Sequence, residues 1–165
     1  MTPAAEFVAA LRERGWTLGV AESLTGGAVS SAIVAVPGAS AVLNGAVVAY
    51  ATPVKRSLLG VDAGLLDEHG PVHPQVAEQM ARGVRVAVAV DGRPADVGIA
   101  TTGIAGPDSP DGQPVGTVHV GVVVPGSIRS LAFRFDGDRD EIRRRSVDAA
   151  IAAALSAVLE SDPAE

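Results

Sequence analysis

The spacing of apolar and polar positions divides the chain into alternating helices and strands. In residues 3–14, Phe7, Val8 and Leu11 fall on one side, Thr2 can cap, Pro3 suits the first helical position and Gly15 follows, which predicts a helix. Leu18 to Ala21 is a short continuous apolar run that predicts a strand. After a break at Glu22-Ser23, small residues from Ala28 to Val36 predict a helix, capped by Thr25 or Ser23 and stopped by Pro37-Gly38. Ala41–Ala51, ending in Val47-Val48-Ala49-Tyr50, predicts a second strand. Thr52-Pro53 opens a helix that Gly60 ends, and Asp62–His69 reads as a short helix closed by Gly70-Pro71. Residues 74–90 put Val76, Met80, Val84 and Ala87 on one stripe, with Glu78, Arg82 and Arg85 mostly elsewhere. Asp91-Gly92 turns the chain into a buried-type strand, Asp96–Thr102, and Asp108–Pro114 follows as an exposed polar loop. Gly116–Val124 and Ile128–Phe135 predict a hairpin around Pro125-Gly126. Asp138 caps a final helix, 139–160, that buries Val147, Ile151, Leu155 and Val158, and the tail after Ser161 is expected to fray.

This order of elements predicts an α/β fold, a three-layer α/β/α domain with a mixed sheet. The 165 residues suit one domain spanning 1–165, with no internal repeat or linker. Hydrophobic residues make up 47% of the chain but aromatics only 3%, so the core must be built from Val, Ala, Leu and Ile, with alanine allowing helices to pack closely on the sheet. Disulfides, iron–sulfur clusters and thiolate zinc sites are excluded by the absence of cysteine. No apolar run approaches the ~20 residues of a membrane span, and the start lacks a signal-peptide pattern. A soluble, cytoplasmic protein with no membrane partner is therefore expected. A net charge of −6 argues against nucleic-acid binding. The alanine-rich final helix is the expected interface of a homo-oligomer.

Candidate chemistry begins at Thr17–Gly27, a strand–turn–helix junction with Ser23 at its turn. A serine there stands at the carboxyl end of a strand, beside the free N–H groups of a helix start. Nucleophiles and anion-binding loops both use that position, so the junction leaves both open. Among 13 basic residues the only lysine is Lys55, and the only tyrosine, Tyr50, lies five residues before it. Arginine stays charged, whereas a lysine can be shifted to neutrality and accept a proton. A turn at Thr52-Pro53 would bring Tyr50 and Lys55 to one cleft at the carboxyl ends of strands, where α/β sites collect. Lys55 is then the candidate base for the Ser23 proton, directly or through the phenol. The histidines offer less, since Gly70-Pro71 separates His69 from His73 and His119 lies within a strand.

The chain has no G-x-x-x-x-G-K-[ST] and no G-x-G-x-x-G after the first strand, which disfavours P-loop and dinucleotide sites. The Tyr50–Lys55 spacing of five also fails the short-chain dehydrogenase pattern. Ser23–Gly27 and Thr102–Gly106 remain, either as loops whose N–H groups bind an oxyanion or phosphate or as tight turns that need glycine. In the basic cluster Arg139, Arg143, Arg144 and Arg145, the first two are one turn apart and can meet a phosphate. Pairing with Asp136, Asp138, Asp140 and Glu141 on a solvated face is the alternative. Asp108 and Asp111 have the chemistry of hard-metal ligands, and a polar surface loop explains them equally well.

Ala21-Glu22-Ser23-Leu24-Thr25-Gly26-Gly27 resembles the AES-x-TGG signature of the CinA carboxy-terminal domain, also known as PncC or nicotinamide-nucleotide amidohydrolase. The likeness continues through Pro37-Gly38-Ala39-Ser40, Tyr50 and Lys55, Gly70-Pro71-Val72, Thr102 to Pro107, Pro114 to Val118 and Gly137-Asp138-Arg139. It covers nearly the whole chain and lacks the family's amino-terminal molybdopterin-binding-like domain, so the stand-alone form is expected. Two positions depart from the family pattern: Thr52 stands where Asn is usual, and His73 where Ser is common.

The resemblance implies hydrolysis of the carboxamide of nicotinamide mononucleotide to nicotinic acid mononucleotide and ammonia. Ser23 is then the nucleophile, Tyr50 and Lys55 complete a Ser–Tyr–Lys set, and Thr102 and Arg139 match substrate-binding or catalytic positions. Thr25, Gly26, Gly27 and Gly103 are the backbone positions expected to hold the substrate or its oxyanion. A small-molecule mononucleotide is the expected partner, with no metal and no organic cofactor required. A non-catalytic nucleotide-binding module using the same loops is the main alternative, and a structural domain with a relic cleft is a third.

Overall fold

A computed structural model of the chain describes residues 1–110 and 112–162. Asp111 and, of the tail after Ser161 that was expected to fray, residues 163–165 lie outside the described residues. The elements follow as α1 (Pro3–Arg14), β1 (Leu18–Glu22), α2 (Ala28–Val34), a 3-10 turn (Ala39–Ala41), β2 (Leu43–Val48), α3 (Thr52–Leu59), α4 (Ala63–His69), α5 (Pro74–Ala87), β3 (Val97–Gly103), β4 (Thr117–Val124), β5 (Ser127–Arg134) and α6 (Arg139–Glu160). The five strands form one mixed sheet in the order β2-β1-β3-β4-β5, parallel at β1–β2 and β1–β3 and antiparallel at β3–β4 and β4–β5. Helices cover both faces, so the three-layer α/β/α arrangement with a mixed sheet holds.

Side chains alternate between the faces of a strand, and here the alternation sorts them by size. Leu18, Val20, Val97, Ile99, Val118, Val120 and Val122 point to one face, where they pack with Phe7 and Leu11 of α1, Ile33 of α2 and Ile142, Ile151 and Val158 of α6. The opposite face carries Gly19, Ala21, Gly98, Ala100 and Gly121 at the intervening positions. There α5 presses Val76, Met80 and Val84 directly onto the strands, with Leu59 of α3 and Leu66 of α4 alongside. The approach is so close that a Cβ on Gly98 or Gly121 would fall within the backbone carbonyls of Ala81 or Ala77 on α5.

Several local expectations are corrected. Helix α2 stops at Val34 and its N-cap is Gly27, not Thr25 or Ser23, with no side-chain bond from the cap itself. Its opening N–H groups are instead met by the fully buried carboxylate of Glu22, which accepts from Val29 N at 2.8 Å, Ser30 N at 3.0 Å and Ser30 Oγ at 2.7 Å. This satisfies the helix start and ties it back to the end of β1. Ala87 is exposed, and Ala77 and Ala81 take its place on the buried stripe of α5. The apolar side of α6, expected as an interface, is buried within the chain against α1 and the sheet. Asp138 caps α6 as expected, in a reciprocal box with Glu141. No described helix is long and apolar enough to cross a membrane.

Two stability changes follow. Gly121→Ala should cost about 2 kcal/mol, because the α5 backbone has to move away from the sheet. Glu22→Ala should cost about 3 kcal/mol, because it strands the N–H groups of buried Val29 and half-buried Ser30. Urea unfolding midpoints of the two variants against the parent chain measure both.

Candidate active site

The same alternation that sorts the core sets the site. At the end of β1, Glu22 turns to the α2 face while Ser23 turns to the α3 face, where Lys55 waits in the first turns of α3. Lys55 is 1% exposed, and its Nζ donates to Ser23 Oγ at 3.0 Å, Ala49 O at 2.6 Å and Tyr50 O at 3.3 Å. Burial lowers its pKa from 10.5 to about 8. An ammonium has three donors and all three are met. When the proton leaves, two N–H bonds can stay on the carbonyls, which directs the lone pair at the Ser23 hydroxyl.

The Ser23 turn is built from several directions. Gly26 N donates to Ser23 O at 3.1 Å and Ala28 N to Thr25 O at 3.0 Å, with left-handed glycines at Gly26 and Gly27 making the tight entry into α2 possible. Thr101 Oγ1 sits beneath the turn, accepting from Ser23 N at 3.4 Å and bonding Thr25 Oγ1 at 2.8 Å. From α6, Arg143 donates Nε to Leu24 O at 2.9 Å and Nη2 to Thr25 O at 3.2 Å. Arg143 does not line the cavity beside Arg139: its Nε and Nη2 serve the turn, and its Nη1 lies 4.0 Å from Asp140 Oδ1.

A cavity of about 240 Å³ opens over Ser23. Of the expected site residues, Ser23, Tyr50, Lys55, Thr102, Gly103 and Arg139 line it. Thr25, Gly26 and Gly27 are not among its lining residues: Thr25 is buried beneath the turn, and the exposed Gly26 and half-buried Gly27 lead away into the start of α2. Tyr50 lies beyond the end of β2 and its side chain is 61% exposed. Its phenol bonds Arg139 Nη2 at 3.1 Å, while Arg139 Nη1 donates to Gly106 O at 2.7 Å. Lys55 thus reaches Ser23 directly and touches Tyr50 through the backbone carbonyl, so the phenol is not a bridge between them.

Thr102 Oγ1 is buried and donates to Pro71 O at 2.7 Å, joining the loop before α5 to the cavity wall. Gly103 lies opposite Val118 in the β3–β4 ladder, and the adjacent ladder bond is Ile104 N to Thr117 O. By the alternation of an antiparallel pair, the Gly103 N–H points away from β4, toward the space beyond the end of β1 where Ser23 stands. Asp108 also lines the cavity. The two family departures lie elsewhere. Thr52 opens α3, and His73 caps α5, its Nδ1 accepting from Gln75 N at 3.2 Å. The chain doubles back at Gly70-Pro71, so the His69 and His73 rings stack at 4.5 Å in spite of the broken helix.

Glu22, Thr101 and the supporting role of Arg143 were not read from sequence. Glu22 carried a signal, since a carboxylate one strand position before the serine must face the opposite side of the sheet. Thr101 and Arg143 carried none, as their partners are remote in the chain.

Comparison with known proteins places this architecture. The family model described as the CinA C-terminal domain matches residues 1–158. A CinA-like protein of Frankia casuarinae is 45% identical over 141 residues, which is 86% of this chain and 31% of that one. Another, from Gloeobacter violaceus, is 46% identical over 153 residues, 91% of this chain and 35% of that one. The chain therefore spans about a third of the length of these relatives. A crystal structure of a competence-damaged protein (CinA) superfamily protein from Klebsiella pneumoniae superposes with a TM-score of 0.89 at 32% identity, covering 96% of this chain and 97% of that one. One of a competence/damage inducible protein from Agrobacterium tumefaciens gives 0.86 at 33% identity, over 96% and 94%. By sequence, by fold and by the order of its motifs along the chain, the protein belongs to the CinA C-terminal domain family.

Proposed function

We propose that the protein is a serine amidohydrolase that removes the amide nitrogen of nicotinamide mononucleotide, giving nicotinic acid mononucleotide and ammonia. The observation that carries this reading is the buried Lys55 amine 3.0 Å from Ser23 Oγ, with its other two donors on carbonyls. Neutral Lys55 takes the hydroxyl proton as Ser23 Oγ bonds to the carboxamide carbon. The negative charge moves to the carboxamide oxygen, where the N–H of Leu24, the residue after the nucleophile, and that of Gly103 receive it. Lys55 then passes its proton to the amide nitrogen as the C–N bond breaks, and ammonia leaves an ester on Ser23. Water attacks that ester with Lys55 again as the base, releasing the carboxylate and restoring the hydroxyl.

Arg139 is the cation on the cavity wall for the substrate phosphate, and the Tyr50 phenol holds it in place. Tyr50 also contributes its carbonyl to the set around Lys55, and Thr102 supports the wall through Pro71. The reaction needs no redox step, so no oxidant or reductant enters it.

The pKa of about 8 fixes the sign of the pH dependence. The base is the neutral amine, so kcat/KM for nicotinamide mononucleotide should rise about tenfold per unit below pH 8 and level off above it. Lys55→Arg, which stays charged, should lose about 10³-fold or more, and Ser23→Ala a similar amount. Ammonia release by purified protein checks all three; a Ser23→Ala variant as fast as the parent would sink the nucleophile assignment. Tight binding of the mononucleotide without turnover would favour the non-catalytic module.

The same shift acts on stability. Between about pH 8 and 10.5 the unfolded chain holds the Lys55 proton and the folded chain does not, so folding should gain stability as pH rises through that window. The increment is complete above 10.5 and lost as pH falls through 8. In Lys55→Met this part of the pH dependence should vanish, as read from unfolding midpoints of parent and variant across the window.

A further inference from the structure

Residues Ser23 to Gly26 form a β-turn closed by Gly26 N to Ser23 O, so three peptide planes lie between its ends. The first plane is held by that closing bond, through the Ser23 carbonyl. The third is held by the Gly26 N–H in the same bond and by Ala28 N on Thr25 O. The central Leu24–Thr25 peptide has neither. Thr25, at the third position, keeps a negative φ as a β-branched residue should, so the turn's backbone favours one orientation of this peptide, and the hydrogen bond to its carbonyl has to come from outside the turn. Its carbonyl is bonded by Arg143 Nε at 2.9 Å, and the same guanidinium reaches the next carbonyl through Nη2 at 3.2 Å.

We propose that Arg143 is a positioning residue that holds the central peptide of the Ser23 turn in one orientation and so keeps Ser23 Oγ aligned with Lys55. The inference rests on the serine-hydrolase reading for its catalytic consequence. A planar guanidinium offers two donors in a fixed fork, and α6, locked by the Asp138–Glu141 box and its buried side, provides a rigid base for it. Arg143 does not line the cavity, so its effect on the reaction passes through the turn. Arg144, the next residue, is exposed and carries the same charge, which makes it the control for a purely electrostatic effect.

Arg143→Ala, Arg143→Lys and Arg144→Ala should be compared with the parent by deamidase kinetics and by backbone amide exchange followed residue by residue. In Arg143→Ala, kcat should fall about 10–100-fold, the scale of a misplaced reacting group, with KM within about threefold. Exchange at the amides of the turn, Leu24 to Gly26, should quicken while that of the α6 interior stays unchanged. Methylguanidinium added to Arg143→Ala should restore part of kcat. Arg143→Lys, which meets one carbonyl at a time, should fall between, and it carries the test if the alanine variant does not fold. Arg144→Ala should behave as the parent. An unchanged kcat, unchanged turn exchange, an equal loss in Arg144→Ala, or a raised KM at constant kcat would overturn the proposal. If the parent releases no ammonia from nicotinamide mononucleotide, the hydrolase reading fails, and the exchange data alone decide whether Arg143 fixes the turn.

Discussion

The burial of one amine governs this structure. Lys55 is almost wholly removed from water, and an ammonium in that position is tolerable only if each of its donors finds an oxygen. The carbonyls of Ala49 and Tyr50 and the hydroxyl of Ser23 provide them. The chain leaving β2 must therefore bend so that two successive carbonyls face inward, and β1 must end where its next side chain can reach α3. The position of the Ser23 hydroxyl and the lowered proton affinity of its neighbour have the same cause. Desolvation weakens the hold on the proton, and the hydrogen bonds define where it can go.

That arrangement depends on how closely helices approach the sheet. Glycine and alanine occupy the strand positions under α5, and the larger Leu, Val and Ile occupy the positions under α1, α2 and α6. The sheet is thus asymmetric, bulky on one face and, apart from Val47, His119 and Val123, small on the other. α5 rests on backbone rather than on side chains, and α3 packs beside it with Leu59 in the same core cluster. Lys55, on the same helix as Leu59, is carried inward far enough for its amine to meet Ser23.

The first turns of α6 complete the site. Arg139 ties Gly106 and the Tyr50 phenol together, and Arg143 ties down the turn after the serine. The helix therefore connects the β2–α3 loop, the β1–α2 turn and the loop after β3, which approach the cavity from separate parts of the chain. Two arginines that look equivalent in sequence differ in their contacts because one helical turn moves the second from the cavity wall to the carbonyls of the turn after Ser23.

Much of this was legible in the chain itself. The element order, the strand–turn–helix around Ser23, the lone Tyr50 and Lys55, and the cap at Asp138 follow from local patterns, because period, turn chemistry and capping act over a few residues. The cap of α2 was misread because Thr25 and Ser23 are good capping residues taken alone. The better acceptor, Glu22, acts across the turn, and Thr25 is already held by Thr101. The apolar side of the final helix suggested an interface because an apolar face does not say what covers it; here α1 and the sheet cover that side. The sequence by itself determined which groups were present and that a serine would stand at a strand end beside a helix start. Only the tertiary structure decided that the lysine reaches that serine directly, that the tyrosine's phenol turns to Arg139, and that Arg143 supports the turn. Those contacts join residues far apart in the chain, and their geometry is set by how closely the layers pack.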